Sequence, residues 1–67
     1  MRYIKEERTK RERKMIYKIL RRYGISVSNA QRMRDWSLGH IERYLLNFFD
    51  IDKVEEIMHQ IRQEVRK

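Results

Sequence analysis

The chain contains no cysteine and no proline, and only two glycines, Gly24 and Gly39. Without cysteine there is neither a disulfide framework nor a thiolate metal site to supplement a small core, so packing or oligomerisation must hold the fold. Without proline, and with no window that alternates apolar and polar residues over strand length, the chain is expected to be nearly all helix. No apolar run approaches the roughly 18 residues of a membrane span, and charge appears at Arg2, where a signal peptide would place apolar chain. A cytoplasmic protein is therefore expected. Contact with a membrane surface is not expected either, because residues 5 to 14 have no apolar side chain to insert and Ile16, Ile19 and Leu20 are needed for a core.

What is present is charge. Of 67 residues 40% are charged and 40% hydrophobic, which is too apolar for a disordered tail but near the lower size limit for independent folding. That length allows one domain, residues 1 to 67, and the initial methionine favours a complete small gene product. Residues 2 to 22 hold ten of the 17 basic residues against three of the ten acidic ones, which accounts for the whole net charge of +7. The other 46 residues balance, seven against seven, and arginine outnumbers lysine 11 to 6. So uneven a distribution points to an anionic partner, most often nucleic acid, and exceeds what solubility requires.

Four helical segments can be read from the pattern. The first is expected from about Ile4 to Tyr23, with Met15, Ile16, Ile19, Leu20 and Tyr23 on its apolar side and Arg11, Lys14, Lys18, Arg21 and Arg22 on the other. Its apolar stripe exists only in the second half, so residues 1 to 14 form a basic segment, either flexible or overhanging as helix, ahead of a core in residues 15 to 67. Gly24 is placed to end this helix in a left-handed conformation, with Ile25 folding back. Ser28 with Gln31 forms a capping box for the next helix. Beyond it, residues 29 to 49 fit either one long helix or a short one to about Arg34 followed by a second from Leu38 to Phe49. The broken version is preferred, because Ser37 and Gly39 lie beside a staple pair, Trp36 and Ile41. In the last segment Asp52 and Glu55 form a capping pair, and Ile51, Val54, Met58, Ile61 and Val65 repeat as a short heptad seam. Ile57 widens that seam into a face that either covers the core or meets a second copy.

Nothing in this pattern carries catalysis. His40 and His59 have no neighbouring Cys or clustered carboxylates for a metal, and there is no phosphate-cradling glycine loop or nucleophile elbow. The chain is expected to be a non-enzymatic binding protein without a cofactor.

Residues 28 to 49, read as broken, have the outline of a helix-turn-helix. Its second helix buries Leu38, Ile41, Tyr44, Leu45, Phe48 and Phe49, and presents His40, Arg43 and Asn47 outward. Arg suits guanine and Asn suits adenine, so these three are candidate base contacts. Candidate phosphate contacts are Arg8, Arg11, Lys14, Lys18, Arg21, Arg22, Arg32 and Arg34. The resemblance is generic and covers about a third of the chain: Ala30 matches the small residue of a first helix, and Arg34 stands where a turn glycine is usual. The expectation is an all-α bundle of three to four helices, helix-turn-helix-like, that binds nucleic acid, DNA favoured over RNA, in the manner of a transcriptional, phage or mobile-element regulator. The alternative is an interaction module or inhibitor that docks on an acidic partner protein through the same cations or through the surface around Trp36, Leu46 and Phe49. Self-association through Ile51, Val54, Met58, Ile61 and Val65 is expected in either case, giving a homodimer.

Overall fold

The structure, a computed structural model, describes residues 8 to 65. It is all-helical, with α1 (Lys10–Arg22), α2 (Val27–Met33), α3 (Leu38–Leu45) and α4 (Ile51–Val65) and no strand among the described residues. The longest helices, α1 and α4, pack against each other at the centre, α2 leans on α1, and α3 leans on α4.

Helix α1 begins later than the apolar pattern suggested. Thr9 is extended and caps the helix, its side chain accepting from the Glu12 amide while the Glu12 carboxylate accepts from the Thr9 amide. This reciprocal box satisfies two donors that a helix start leaves open, and it overrides the expected start near Ile4. Residues 1 to 7 of the expected basic segment lie outside the described residues; within residues 8 to 14, helix is present from Lys10. Ile16, Ile19 and Leu20 are buried on the inner face.

The end of α1 follows the expected form. The Gly24 amide donates to the Arg21 carbonyl at 3.0 Å and the Ile25 amide to the Leu20 carbonyl at 3.1 Å, with Gly24 at φ +92° and Ile25 buried. This is a Schellman closure, which needs a left-handed residue at that point. A Cβ added to Gly24 would meet nothing within 4 Å, so the Gly24→Ala variant is expected to lose about 1 kcal/mol through backbone strain alone. Gly39 has equally open surroundings but lies inside α3, so Gly39→Ala is expected to gain a few tenths of a kcal/mol. Urea unfolding of the two variants, followed by circular dichroism, should give shifts of opposite sign.

Helix α2 is capped by Ser26, whose hydroxyl accepts from the Asn29 amide at 3.3 Å, and not by Ser28, which lies within the helix. The physical reason is the preceding closure: burial of Ile25 brings the chain out of α1 with Ser26 already extended, and the helix starts at once. Ala30 and Met33 are its buried residues.

The break between residues 34 and 37 is real. The Arg34 amide reaches the Ala30 carbonyl, the Trp36 amide reaches the Met33 carbonyl, and Ser37 then turns extended and caps α3 by accepting from the His40 amide at 3.2 Å. No glycine is needed, because Arg34 keeps right-handed helical geometry. Two arginines from the start of α1 hold this turn. One guanidinium nitrogen of Arg8 donates to the Trp36 carbonyl at 2.7 Å and the Arg34 carbonyl at 3.3 Å, and Arg13 forms a two-point pair with Asp35 at 2.7 and 3.2 Å. Carbonyls left open by a helix end are thus satisfied from 26 and 28 residues away.

Helix α3 stops at Leu45, one turn before the expected Phe49. Leu46 to Phe49 form tighter turns, in which the Phe48 and Phe49 amides both donate to the Leu45 carbonyl. Ile41 and Leu45 are buried and Leu38, Tyr44 and Phe49 pack against the core, but Phe48, expected inside, is 64% exposed. A 3.6-residue period places Phe48 inside only if the helix continues past Leu45, where α3 ends. Helix α4 is capped two residues earlier than expected, at Asp50 in place of Asp52, the Asp50 carboxylate accepting from the Lys53 amide at 2.8 Å. The seam on α4 faces inward: Val54, Ile57, Met58 and Ile61 are buried, Val65 packs at the edge, and Ile51 is exposed.

Candidate nucleic-acid interface

The outer face of α1 carries Arg11, Lys14, Lys18, Arg21 and Arg22, all exposed. Arg21 donates to the Ile25 carbonyl at 2.8 Å, and Arg22 donates to the Gln60 side chain at 3.3 Å. Arg11, Lys14 and Lys18 have no carboxylate partner among the described residues. Several acids are engaged elsewhere: Glu12 in the cap of α1, Asp35 with Arg13, Glu42 with Arg62 at 3.4 Å, and Asp50 in the cap of α4. Glu56 lies 3.7 Å from Lys53 and accepts from the Tyr23 hydroxyl at 2.6 Å, a bond that raises the Tyr23 phenol above its usual range. Among the described residues, three cations one turn apart on a packed helix therefore face solvent with no carboxylate beside them, as a phosphate-binding array requires.

The other candidate phosphate contacts divide. Arg32 is exposed on α2. Arg34 is half-buried, with its Nε enclosed and without a hydrogen-bond partner. Arg8 is committed to the carbonyls of the α2–α3 turn and is structural in this arrangement.

The candidate base contacts are brought together. His40, Arg43 and Asn47, joined by Tyr44, line one open groove along α3. Arg43 and Asn47 are exposed, while His40 is half-buried with its ring 4.4 Å from that of Trp36 in an edge-on contact. Because Arg8 and Arg13 tie the start of α1 to the turn that precedes α3, the basic helix begins beside the groove's own element. No protein-family model, curated protein or solved structure matches the chain. The candidate site consequently rests on its own chemistry.

That chemistry includes features the sequence pattern had not singled out. Trp36, Tyr44 and Phe48 form a run of ring contacts, Trp36 to Tyr44 at 5.5 Å and Tyr44 to Phe48 at 5.2 Å. The signal was present as aromatic rings at positions 36, 40, 44 and 48, each four residues from the next. Beside it an apolar groove is lined by Gly24, Ile25, Ser26, Asn29, Tyr44, Phe48 and Phe49, and the Asn29 side chain donates to the Tyr44 hydroxyl at 3.2 Å. Of the seam residues Ile51, Val54, Met58, Ile61 and Val65, the three central ones are consumed by the chain's own core. Among the described residues no three His, Asp or Glu side chains gather as a metal site, and no helix is long and apolar enough to cross a membrane.

Proposed function

We propose that this chain is a small, non-enzymatic nucleic-acid-binding protein, with DNA favoured over RNA, of the kind that acts as a transcriptional, phage or mobile-element regulator. The observation that carries this reading is the exposed array of Arg11, Lys14 and Lys18 on α1, which has no carboxylate partner among the described residues, supported by the groove of His40, Arg43 and Asn47 along α3 and the turn after it. In this reading the α1 cations, with Arg21, Arg22 and Arg32 at the margins, neutralise phosphates and set orientation, and the α3 side chains lie toward bases.

The test is duplex-DNA binding followed by fluorescence anisotropy across a salt series. With these six cations on phosphates, the logarithm of the affinity should fall against the logarithm of salt with a slope of about −5. Absence of binding at about 50 mM salt, where such contacts are strong, would overturn the proposal. A second reading, docking on an acidic protein, is favoured by the exposure of Leu46, Phe48 and Ile51, at 46, 64 and 62%. Recovery of one protein in a nuclease-insensitive pull-down would select it.

A further inference from the structure

Phe48 is the most exposed large apolar side chain among those described, at 64%, yet its placement is not random. Its ring lies 5.2 Å from that of Tyr44, tilted by 52°, and Tyr44 in turn lies 5.5 Å from Trp36. Tyr44 is held from the other side by the Asn29 side chain, so Phe48 has a fixed aromatic backing instead of a soft aliphatic one. Arg43 and Asn47, both exposed, border the same stretch of α3 and line a groove with Tyr44.

A duplex offers such a ring little, because its base faces are already stacked on one another. An unpaired base offers a bare π-face, and stacking on an aromatic side chain is largely indifferent to base identity. Arg43 and Asn47 can reach base edges that pairing no longer occupies, Arg43 as a donor and Asn47 as donor or acceptor. The charge of the surface matches the same ligand, since Arg43 has no carboxylate partner among the described residues.

We infer that the turn that follows α3 is a stacking site for single-stranded nucleic acid, with Phe48 as the platform and Arg43 and Asn47 as its polar border. This rests on the nucleic-acid reading above and specifies the form of the ligand at α3. Val27, Leu46 and Ile51 are also exposed, but none carries a ring, so they do not share this role.

The experiment compares anisotropy binding of an oligothymidylate of about 15 nucleotides, within the range of single-strand sites, with that of a duplex of the same length, using the full chain at fixed salt. The Phe48→Ala variant should weaken single-strand binding about tenfold, and Phe48→Leu should weaken it equally, because leucine keeps apolar bulk but has no π-face. Phe48→Trp should bind as tightly as the parent, and all three variants should bind duplex within about twofold of it, with an unchanged salt slope. The exposure of Phe48 means that these variants should keep the parent's helical circular dichroism. Parent-like single-strand binding by Phe48→Leu, or equal losses on both ligands, overturns the inference. Duplex binding without oligothymidylate binding overturns it while leaving the proposed function standing. Binding of neither overturns both.

Discussion

Reversing Arg11, Lys14 and Lys18 together to glutamate is expected to reduce DNA affinity by more than about 100-fold at low salt while leaving the helical circular dichroism intact. These three side chains touch no carboxylate among the described residues and lie opposite Ile16, Ile19 and Leu20, so the substitution leaves the packed face of α1 unaltered. Glu at 14 and 18 repel each other as Lys14 and Lys18 already do, so the helix itself loses little. The loss should therefore appear in binding, and the salt slope of any residual affinity should become shallower by about three, one for each phosphate contact removed. If the variant unfolded instead, the outer face of α1 would have been misassigned.

The largest expected effect on stability lies on the opposite side of the same helix. Leu20 is fully buried, in the core where α1 meets α4, and its backbone carbonyl also receives the Ile25 amide that closes the helix. Leu20→Ala is expected to cost about 3 kcal/mol, from lost transfer free energy and the cavity left behind. A domain of this length has only about 3 to 10 kcal/mol in total, so the variant should be close to unfolding at room temperature. Urea titration should show its midpoint lowered by about 2 M or more, or no folded baseline at all. Leu46→Ala, at a residue 46% exposed, is the control and should move the midpoint little.

The contrast between these substitutions reflects what the sequence made legible. The buried and exposed sides of α1 could be separated because Ile16, Ile19 and Leu20 follow a strict helical period, and the same holds for Val54, Met58 and Ile61 on α4. The interruption before α3 was visible in Ser37, which caps that helix. Periodicity failed at the ends of helices. It carried α1 back to Ile4 because it does not register that Thr9 and Glu12 close a box, and it carried α3 onward to Phe49 because it does not register where hydrogen bonding tightens. In each case a local hydrogen bond decided the boundary and the apolar pattern did not.

The candidate site divides in the same way. Arg43 and Asn47 were legible as an outward pair four residues apart, whereas the commitment of Arg8 and Arg13 to the α2–α3 turn was not, because both contacts join residues more than 20 positions apart. Counting charges treated all the arginines alike. The fold spends two of them on its own carbonyls and carboxylate and leaves Arg11, Lys14 and Lys18 on its exposed face.

The closed start of α1 has a consequence for how binding would proceed. With Thr9 and Glu12 boxed, Arg8 bonded to two carbonyls and Arg13 fixed on Asp35, the backbone beneath Arg11 and Lys14 is already set in the free protein. A partner therefore meets preorganised cations and need not supply the ordering entropy of the helix that bears them. Association through this face should be governed by long-range steering, rapid at low ionic strength and slowed by salt, and not by a folding step that follows encounter.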